Sequence, residues 1–138
     1  MTHKVLLCDD EIPILRAAEF KIKRAGYDVR IASDGQEAWE MIQEECPDIL
    51  VTDCQMPRLD GLGLVARLRD QDETRDLPVL MLTAKGFELR EDELADQLNI
   101  RELISKPFSP RKLLETIQTV LSEQTEDTVT ATADTASN

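Results

Sequence analysis

Five short apolar runs, each followed by a segment with helical periodicity, constrain the fold of this chain more than any other feature. The runs cover residues 4–8, 28–32, 48–52, 78–82 and 102–105. Short runs rich in Val, Ile and Leu are typical of buried strands. Strands that alternate with helices form a parallel sheet covered on both faces. The pattern predicts an α/β fold with a doubly wound, five-stranded parallel sheet, and the more polar run 28–32 is expected at a sheet edge.

The helical segments carry start signals and apolar stripes. Asp34 and Glu37 have the spacing of a capping box at the start of one helix. The segment 87–98 is highly charged with a thin apolar stripe, which predicts an exposed helix. Ser109 is the predicted cap of the last helix, which has the clearest period in the chain. The apolar positions of that helix are Leu113, Leu114, Ile117, Val120 and Leu121.

Composition narrows the class of protein. A net charge of −12 over 138 residues disfavours nucleic acid and anionic membranes as direct partners, since Lys and Arg are the residues that hold phosphate groups. No apolar run reaches the roughly 18 residues of a membrane span, and the N-terminus lacks a signal-peptide pattern. The three cysteines, Cys8, Cys46 and Cys54, lack zinc-ligand spacing. We expect a cytoplasmic protein with reduced thiols, in which Cys8 and Cys54 fill buried space.

The composition changes near residue 124. Residues 124–138 are mainly Thr, Ala, Asp and Ser, and Val129 is their only sizeable apolar side chain. Such a segment cannot bury enough apolar surface to offset the entropy lost on ordering. We therefore expect one domain over residues 1–123 and a disordered tail over residues 124–138.

Ionisable and hydroxyl side chains stand at the carboxyl ends of four predicted strands. Asp9, Asp10 and Glu11 follow the first strand, Asp53 the third, Thr83 the fourth and Lys106 the fifth. In a parallel sheet these ends share one edge, which is where open α/β sheets bind ligands. Neighbouring carboxylates repel one another, and a hard divalent cation such as Mg²⁺ would relieve that repulsion.

This set of side chains suits phosphoryl transfer, which depends mainly on positioning and electrostatics. Asp53 is the predicted nucleophile, because carboxylates form covalent phosphoryl intermediates. Lys106 offers a positive charge for a phosphoryl oxygen, and Thr83 offers a hydroxyl donor. Each element alone has an ordinary structural explanation as a cap, loop or turn. The combination at four strand ends is what favours a chemical role.

The chain resembles the receiver domain of two-component response regulators, of the chemotaxis-regulator type. The matching residues are Leu7-Cys8-Asp9-Asp10-Glu11, Asp53-Cys54-Gln55-Met56-Pro57, Asp60-Gly61, Thr83-Ala84 and Lys106-Pro107-Phe108. The resemblance covers residues 1–123. It implies a flavodoxin-like sheet with strand order 2-1-3-4-5 and a cis peptide bond between Lys106 and Pro107.

The resemblance also implies how the chain reacts. Asp53 would accept a phosphoryl group from a phosphohistidine on a sensor histidine kinase or a histidine phosphotransfer protein. Thr83 and Lys106 would hold the phosphoryl oxygens. Such a chain catalyses its own phosphorylation and dephosphorylation, and it is not an enzyme that turns over external substrates.

A Mg²⁺ site is implied in the same way. Asp10 would be the main carboxylate ligand, assisted by Asp9, Asp53 and the backbone carbonyl of Gln55. Gln55 and Lys85 occupy positions that, in this family, tune the lifetime of the acyl phosphate.

Two positions depart from the family pattern. Leu103 stands where the family usually has an aromatic residue, three positions before the lysine that follows the fifth strand. Leu98-Asn99-Ile100 replaces a common pair of small residues. We expect a stand-alone receiver that signals by altering its partner surface. The alternative is a phosphate relay or sink without the usual conformational output.

Two other classes of function compete with this one. A small Mg²⁺-dependent phosphatase of the aspartyl-phosphate type commonly has a second Asp two residues after the nucleophile, and Gln55 at that place argues against it. A pure interaction scaffold would carry the acidic residues as surface decoration, and a lack of Mg²⁺ binding would favour it.

Overall fold

A computed structural model gives the fold of the chain. It describes residues 2–84 and 96–137, and within these ranges it describes side chains as far as Glu123. The elements are β1 Lys4–Cys8, α1 Ile12–Arg24, β2 Asp28–Ala32, α2 Gly35–Glu44, β3 Ile49–Asp53, α3 Gly61–Arg69, β4 Val79–Thr83, β5 Glu102–Ser105 and α4 Pro110–Ser137. All strand pairs are parallel, in the order β2-β1-β3-β4-β5. The predicted fold class and strand order are confirmed, and β2 lies at an edge as expected.

The predicted strands agree with the observed ones to within one residue. β3 and β4 each begin and end one residue later than predicted. This shift places Asp53 inside the sheet, where it pairs with Leu82 of β4. Of the helix predicted over residues 87–98, only 96–98 are described, and they are helical. The rest of that prediction lies outside the described residues.

Both faces of the sheet are buried, because residues alternate between two cores along each strand. One core joins the sheet to α1 and α4 through Leu7, Ile22, Val51 and Ile117. The other joins it to α2 and α3 through Leu6, Leu50 and Leu64. The predicted stripe of α4 is confirmed: Leu113, Ile117, Val120 and Leu121 are buried and Leu114 is partly buried.

Side-chain caps fix where the helices begin. Asp34 accepts a hydrogen bond from Glu37 N at 2.8 Å at the start of α2. Asp60 accepts one from Gly63 N at 2.7 Å at the start of α3. Ser109 Oγ accepts one from Lys112 N at 3.3 Å, as predicted. The Lys106-Pro107 peptide bond is cis.

The last helix is longer than the sequence predicts. In place of the disorder predicted for residues 124–138, α4 continues to Ser137. No Gly or Pro follows Pro110, so the chain contains no strong helix breaker beyond that point. None of the described helices combines the length and apolar character needed to cross a membrane.

The half-buried guanidinium of Arg69, at the end of α3, donates hydrogen bonds to backbone carbonyl groups in two segments, residues 74–77 and 98–99. It donates to the carbonyl oxygens of Leu98, Arg75 and Leu77 at 2.8 Å, Asn99 at 3.2 Å and Thr74 at 3.3 Å. Asn99 has a positive φ of 55°. Arg69 thereby ties the loop before β4 to the turn before β5.

Candidate functional site

The carboxyl ends of four strands bring ionisable side chains to one edge of the sheet. Asp9 follows β1, Asp53 ends β3 and Thr83 ends β4. Lys106 follows β5, and its backbone N–H donates to Thr83 O at 2.8 Å. Asp9, Asp53 and Thr83 are buried, so their polar atoms are largely withdrawn from water.

The Lys106 ammonium lies among the carboxylates. Its Nζ is 2.9 Å from Asp9 Oδ2 and 3.2 Å from Asp53 Oδ2. It is also 3.0 Å from Glu11 Oε1. The Lys106 side chain is only 15% exposed, so these ion pairs are screened less than surface pairs.

The acidic cluster and the ammonium shift one another's pKa. Burial raises the pKa of Asp53 to about 6, and the Asp9 charge acts in the same direction, while Lys106 opposes both. Burial disfavours the Lys106 charge, but hydrogen bonds to Asp9 and Glu11 and the charge of Asp53 outweigh it and raise the pKa of Lys106. Asp53 is therefore mostly a carboxylate at neutral pH, in a site where negative charge is costly.

Four carboxylates are close enough to share a cation. Oxygen atoms of Asp9, Asp10, Glu11 and Asp53 lie within 4.8 Å of one another. Asp10 and Glu11 are exposed, whereas Asp9 and Asp53 are buried. Hard carboxylate oxygens are the ligands that Mg²⁺ and Ca²⁺ prefer, so the donor set fits a divalent cation.

Thr83, which carries a hydroxyl, ends β4 at the same edge of the sheet. Its side chain is buried, and its Oγ1 has no hydrogen-bond partner within the part of the chain that the structure describes. A buried hydroxyl without a partner is costly, and an oxygen of a bound anion would satisfy it. Lys85, predicted to tune the site, lies outside the described residues.

The loop after Asp53 is held tightly against the sheet. Gly61 N donates to Cys54 O at 2.8 Å, and a Cβ on Gly61 would lie 2.2 Å from Asp53 O. Only glycine fits this close approach. Gln55, a predicted carbonyl ligand, lies in this loop with its side chain exposed, two residues beyond Asp53.

Sequence reasoning missed two features of the site. The sequence pattern places Glu11 among the acids after the first strand but predicts no role for it in the site, although it binds Lys106. Its place as the third acid in a row was the available signal. The ion pair between Arg58 and Asp34, 24 residues apart, has no local signal.

The cysteines near the site are buried, as predicted. Cys8, Cys46 and Cys54 form no disulfide within the described residues, and Cys8 and Cys54 are buried whereas Cys46 is exposed. Burial raises the pKa of Cys8 to about 12. Because the thiolate is the reactive form, Cys8 is an unreactive thiol that packs against the site.

Comparisons with known proteins agree with this architecture. Residues 5–118 match the family model of the response regulator receiver domain. The chain is 39% identical over 121 residues to the alkaline phosphatase synthesis transcriptional regulatory protein PhoP of Bacillus subtilis. It is 37% identical over 140 residues to the ycf27 protein of Cyanophora paradoxa. These matches cover 88% and 98% of this chain but 49% and 55% of the relatives, so the chain spans about half of their length.

Solved structures share the fold. The chemotaxis response regulator CheY4 of Vibrio cholerae has a TM-score of 0.80 and 32% identity, over 87% of this chain and 99% of that one. A CheY-like receiver domain protein from Methanospirillum hungatei has a TM-score of 0.84 and 25% identity, over 92% and 99%. From the family match over residues 5–118, together with these relatives, we conclude that the chain belongs to the response regulator receiver domain family of two-component systems.

Proposed function

We propose that Asp53 accepts a phosphoryl group from a phosphohistidine on a sensor histidine kinase or a histidine phosphotransfer protein. The observation that carries this proposal is the position of the Asp53 carboxylate. It ends a central strand at the ligand-binding edge, with Oδ2 3.2 Å from the Lys106 ammonium and other carboxylates beside it. Family membership supports the same reaction class.

The reaction forms one bond and breaks another. An Asp53 carboxylate oxygen attacks phosphorus as the P–N bond of phosphohistidine breaks, and the imidazole leaves with the electron pair. Lys106 then moves from the carboxylates to a phosphoryl oxygen, where its charge offsets the charge that develops. The Thr83 hydroxyl donates to a second phosphoryl oxygen, which satisfies its unpaired donor.

Mg²⁺ would be held by the carboxylates of Asp9, Asp10 and Asp53 with the Gln55 carbonyl, and when bound it supplies positive charge to the phosphoryl oxygens. The proximity of the acidic oxygens supports this ligand set. Glu11 is placed to keep a carboxylate near Lys106 when the other acids bind the cation.

The proposed output is a change in the surface that contacts partners. An acyl phosphate adds roughly −1.5 to −2 charges, which recruit Thr83 and Lys106 and bias the segments attached to them. We propose that the chain acts in this way as a receiver in the cytoplasm, where free thiols such as Cys8 and Cys46 persist.

Leu103 favours a second candidate output. It lies on β5, three residues before Lys106, and packs half-buried against the core shared with α2 and α3. A leucine lodged in the core lacks the aromatic ring that the family usually rotates at this place. A phosphate relay or sink, which needs no such rotation, is therefore the alternative.

Radiolabelled transfer from a phosphorylated histidine kinase tests the first proposal. Wild type should be labelled only with Mg²⁺ present, and Asp53→Asn should not be labelled. Asp48→Asn is the matched control, because Asp48 directly precedes β3 at the opposite end of the strand from Asp53. It should be labelled normally. Strong labelling of a folded Asp53→Asn variant would contradict the proposal.

Amide NMR with Mg²⁺ and beryllofluoride, a phosphoryl mimic, separates the two outputs. Shifts that spread from Asp53 and Lys106 to Leu103 and α4 would support a conformational switch. Shifts confined to the strand ends would support a relay or sink.

A further inference from the structure

Arg58 adopts a backbone conformation that non-glycine residues rarely take. Its φ is +67°, in the left-handed region that L-residues with a Cβ disfavour. Leu59 N donates to Pro57 O at 2.8 Å across it, which makes Arg58 the centre of a three-residue turn. Turns of this kind with positive φ are strained. Strain persists only where surrounding contacts hold it.

The Arg58 side chain supplies one of those contacts. Its Nε donates to Asp34 Oδ2 and its Nη2 donates to Asp34 Oδ1, each at 3.1 Å, so the ion pair is bidentate. Such paired geometry fixes direction as well as distance. The guanidinium therefore pulls the turn after β3 toward the start of α2.

Asp34 is itself fixed in place. Its Oδ1 accepts the Glu37 N–H as the cap of α2, and its backbone carbonyl accepts from Ala38 N at 3.0 Å. Next to it, a Cβ on Gly35 would lie 1.9 Å from Leu59 O, so the start of α2 touches the turn directly. The anchor of the Arg58 ion pair is thus a rigid helix end.

The turn follows directly on the loop that carries the carbonyl proposed as a cation ligand. Gln55 lies between Asp53 and the turn, and Met56 reaches back to Cys8, with Sδ 3.2 Å from Sγ. Cys8 directly precedes Asp9. The loop is therefore pinned at Met56 on one side and at Arg58 on the other, and the path of the Gln55 carbonyl depends on both.

We propose that Arg58 is a positioning residue that holds the loop after Asp53, and with it the Gln55 carbonyl, in the geometry that binds a divalent cation. The inference rests on the proposed function, since it concerns the cation used there. It assigns a role to an exposed side chain that does not itself touch the acidic cluster.

Stability alone would not reveal this role. The Arg58 side chain is 58% exposed and the Asp34 side chain 14% exposed, and an ion pair whose cation is in solvent contributes only modestly to the free energy of unfolding. A purely structural surface pair predicts no change in cation affinity. A positioning residue predicts a loss of affinity with little loss of stability.

Calorimetric titration with MgCl₂ on the full chain tests the inference. Arg58→Ala should weaken Mg²⁺ binding about tenfold, the scale of lost outer-shell support, with little change in the unfolding midpoint. At saturating Mg²⁺, its phosphorylation rate should approach that of wild type. Amide shifts of Gln55 and Leu59 should differ from those of wild type before any Mg²⁺ is added.

Two further variants separate strain from side-chain contact. Arg58→Gly removes the ion pair but tolerates positive φ, so it should lose less Mg²⁺ affinity than Arg58→Ala. Asp34→Asn keeps a capping oxygen but loses the negative charge that binds Arg58. The double variant Asp34→Asn/Arg58→Ala should therefore bind Mg²⁺ no more weakly than Arg58→Ala alone. The matched control is Arg75→Ala, which removes an arginine as exposed as Arg58 from its ion pair with Asp72, away from the site.

The outcomes distinguish this inference from the function on which it rests. Wild-type protein that neither binds Mg²⁺ nor accepts a phosphoryl group would defeat the proposed function. Normal wild-type behaviour with unchanged Mg²⁺ affinity in Arg58→Ala would overturn the inference alone. Equal losses in the alanine and glycine variants would overturn the assignment of Arg58 as the residue that holds the strained turn.

Discussion

Lys106 Nζ lies 2.9 Å from Asp9 Oδ2, and the Asp9 side chain is fully buried. The pair joins the residue after β1 to the residue after β5, which are distant in sequence but share one edge of the sheet. A buried carboxylate deprived of its partner destabilises a fold strongly. The ammonium therefore acts as the internal counter-ion of the acidic cluster.

Removal of that counter-ion should destabilise the protein when no divalent cation is present. We expect Lys106→Met to lower the free energy of unfolding in EDTA by about 3 kcal/mol, because Asp9 and Asp53 lose a buried partner. Added Mg²⁺ should stabilise the variant more than wild type, since the cation replaces the missing charge. Chemical denaturation with and without Mg²⁺ measures both effects. Lys112→Met, at an exposed position of α4, is the control, and equal stability of the two variants would contradict the prediction.

The raised pKa of Asp53 predicts a pH-dependent stability. The pKa is about 6 in the folded protein and 3.8 in an ordinary aspartate, so the folded state binds a proton more readily than the unfolded state. Ionisation of Asp53 therefore reduces stability as pH rises from about 4 to 6, and the full cost is present above that window. Asp53→Asn should be more stable than wild type at pH 8 in EDTA, by about 2 kcal/mol, and the difference should vanish below pH 4. Unfolding curves across this range test the sign, and a difference that does not change with pH would refute the assignment.

Close packing of Gly61 against the backbone of Asp53 predicts that Gly61 cannot be replaced without loss of stability. A Cβ there would lie 2.2 Å from Asp53 O, a backbone atom that cannot move alone. We expect Gly61→Ala to lower the free energy of unfolding by about 2 kcal/mol, despite the higher helix propensity of alanine. Gly63→Ala on the same helix is the control, because its nearest atoms are side-chain tips of Asp60 and Leu59 at 3.0 Å. Thermal melts of the two variants decide the matter, and similar losses would mean that the loop adapts freely.

The end of α4 should contribute little to stability. Residues 124–138 carry one sizeable apolar side chain, Val129, and helical segments that gain no packing are marginal in water. A chain that stops after Glu123 should unfold within about 2 °C of wild type. Hydrogen exchange should be fast for amides beyond Glu123 and slow around Ile117. Slow exchange near the C-terminus would show that this part of the helix packs against something.

Much of the fold could be predicted from local patterns. The apolar runs predict β1, β2 and β5 at their observed residues, because each run is short and is bounded by residues typical of turns and helix starts. The end of β3 was missed by one residue, since Asp53 is polar and looks like the start of a loop. Its pairing with Leu82 is a long-range contact that no window of sequence contains. Periodicity did not supply the strand order either, which came from the family resemblance.

The site was predictable only where each residue sits at a strand end. Asp9, Asp53, Thr83 and Lys106 meet because parallel strands align their carboxyl ends. Contacts between loops follow no such rule. The bond from Glu11 to Lys106 and the ion pair from Arg58 to Asp34 depend on how loops cross in space.

The guanidinium of Arg69 has a consequence for how this fold can vary. Its hydrogen bonds reach the carbonyl groups of Leu77, just before β4, and of Asn99, just before β5. A lysine there could not span both, because its single ammonium lacks the planar fork. Two backbone segments that are distant in the chain therefore depend on the same side chain for their hydrogen bonds, and loss of Arg69 would leave carbonyl groups of both segments without that partner.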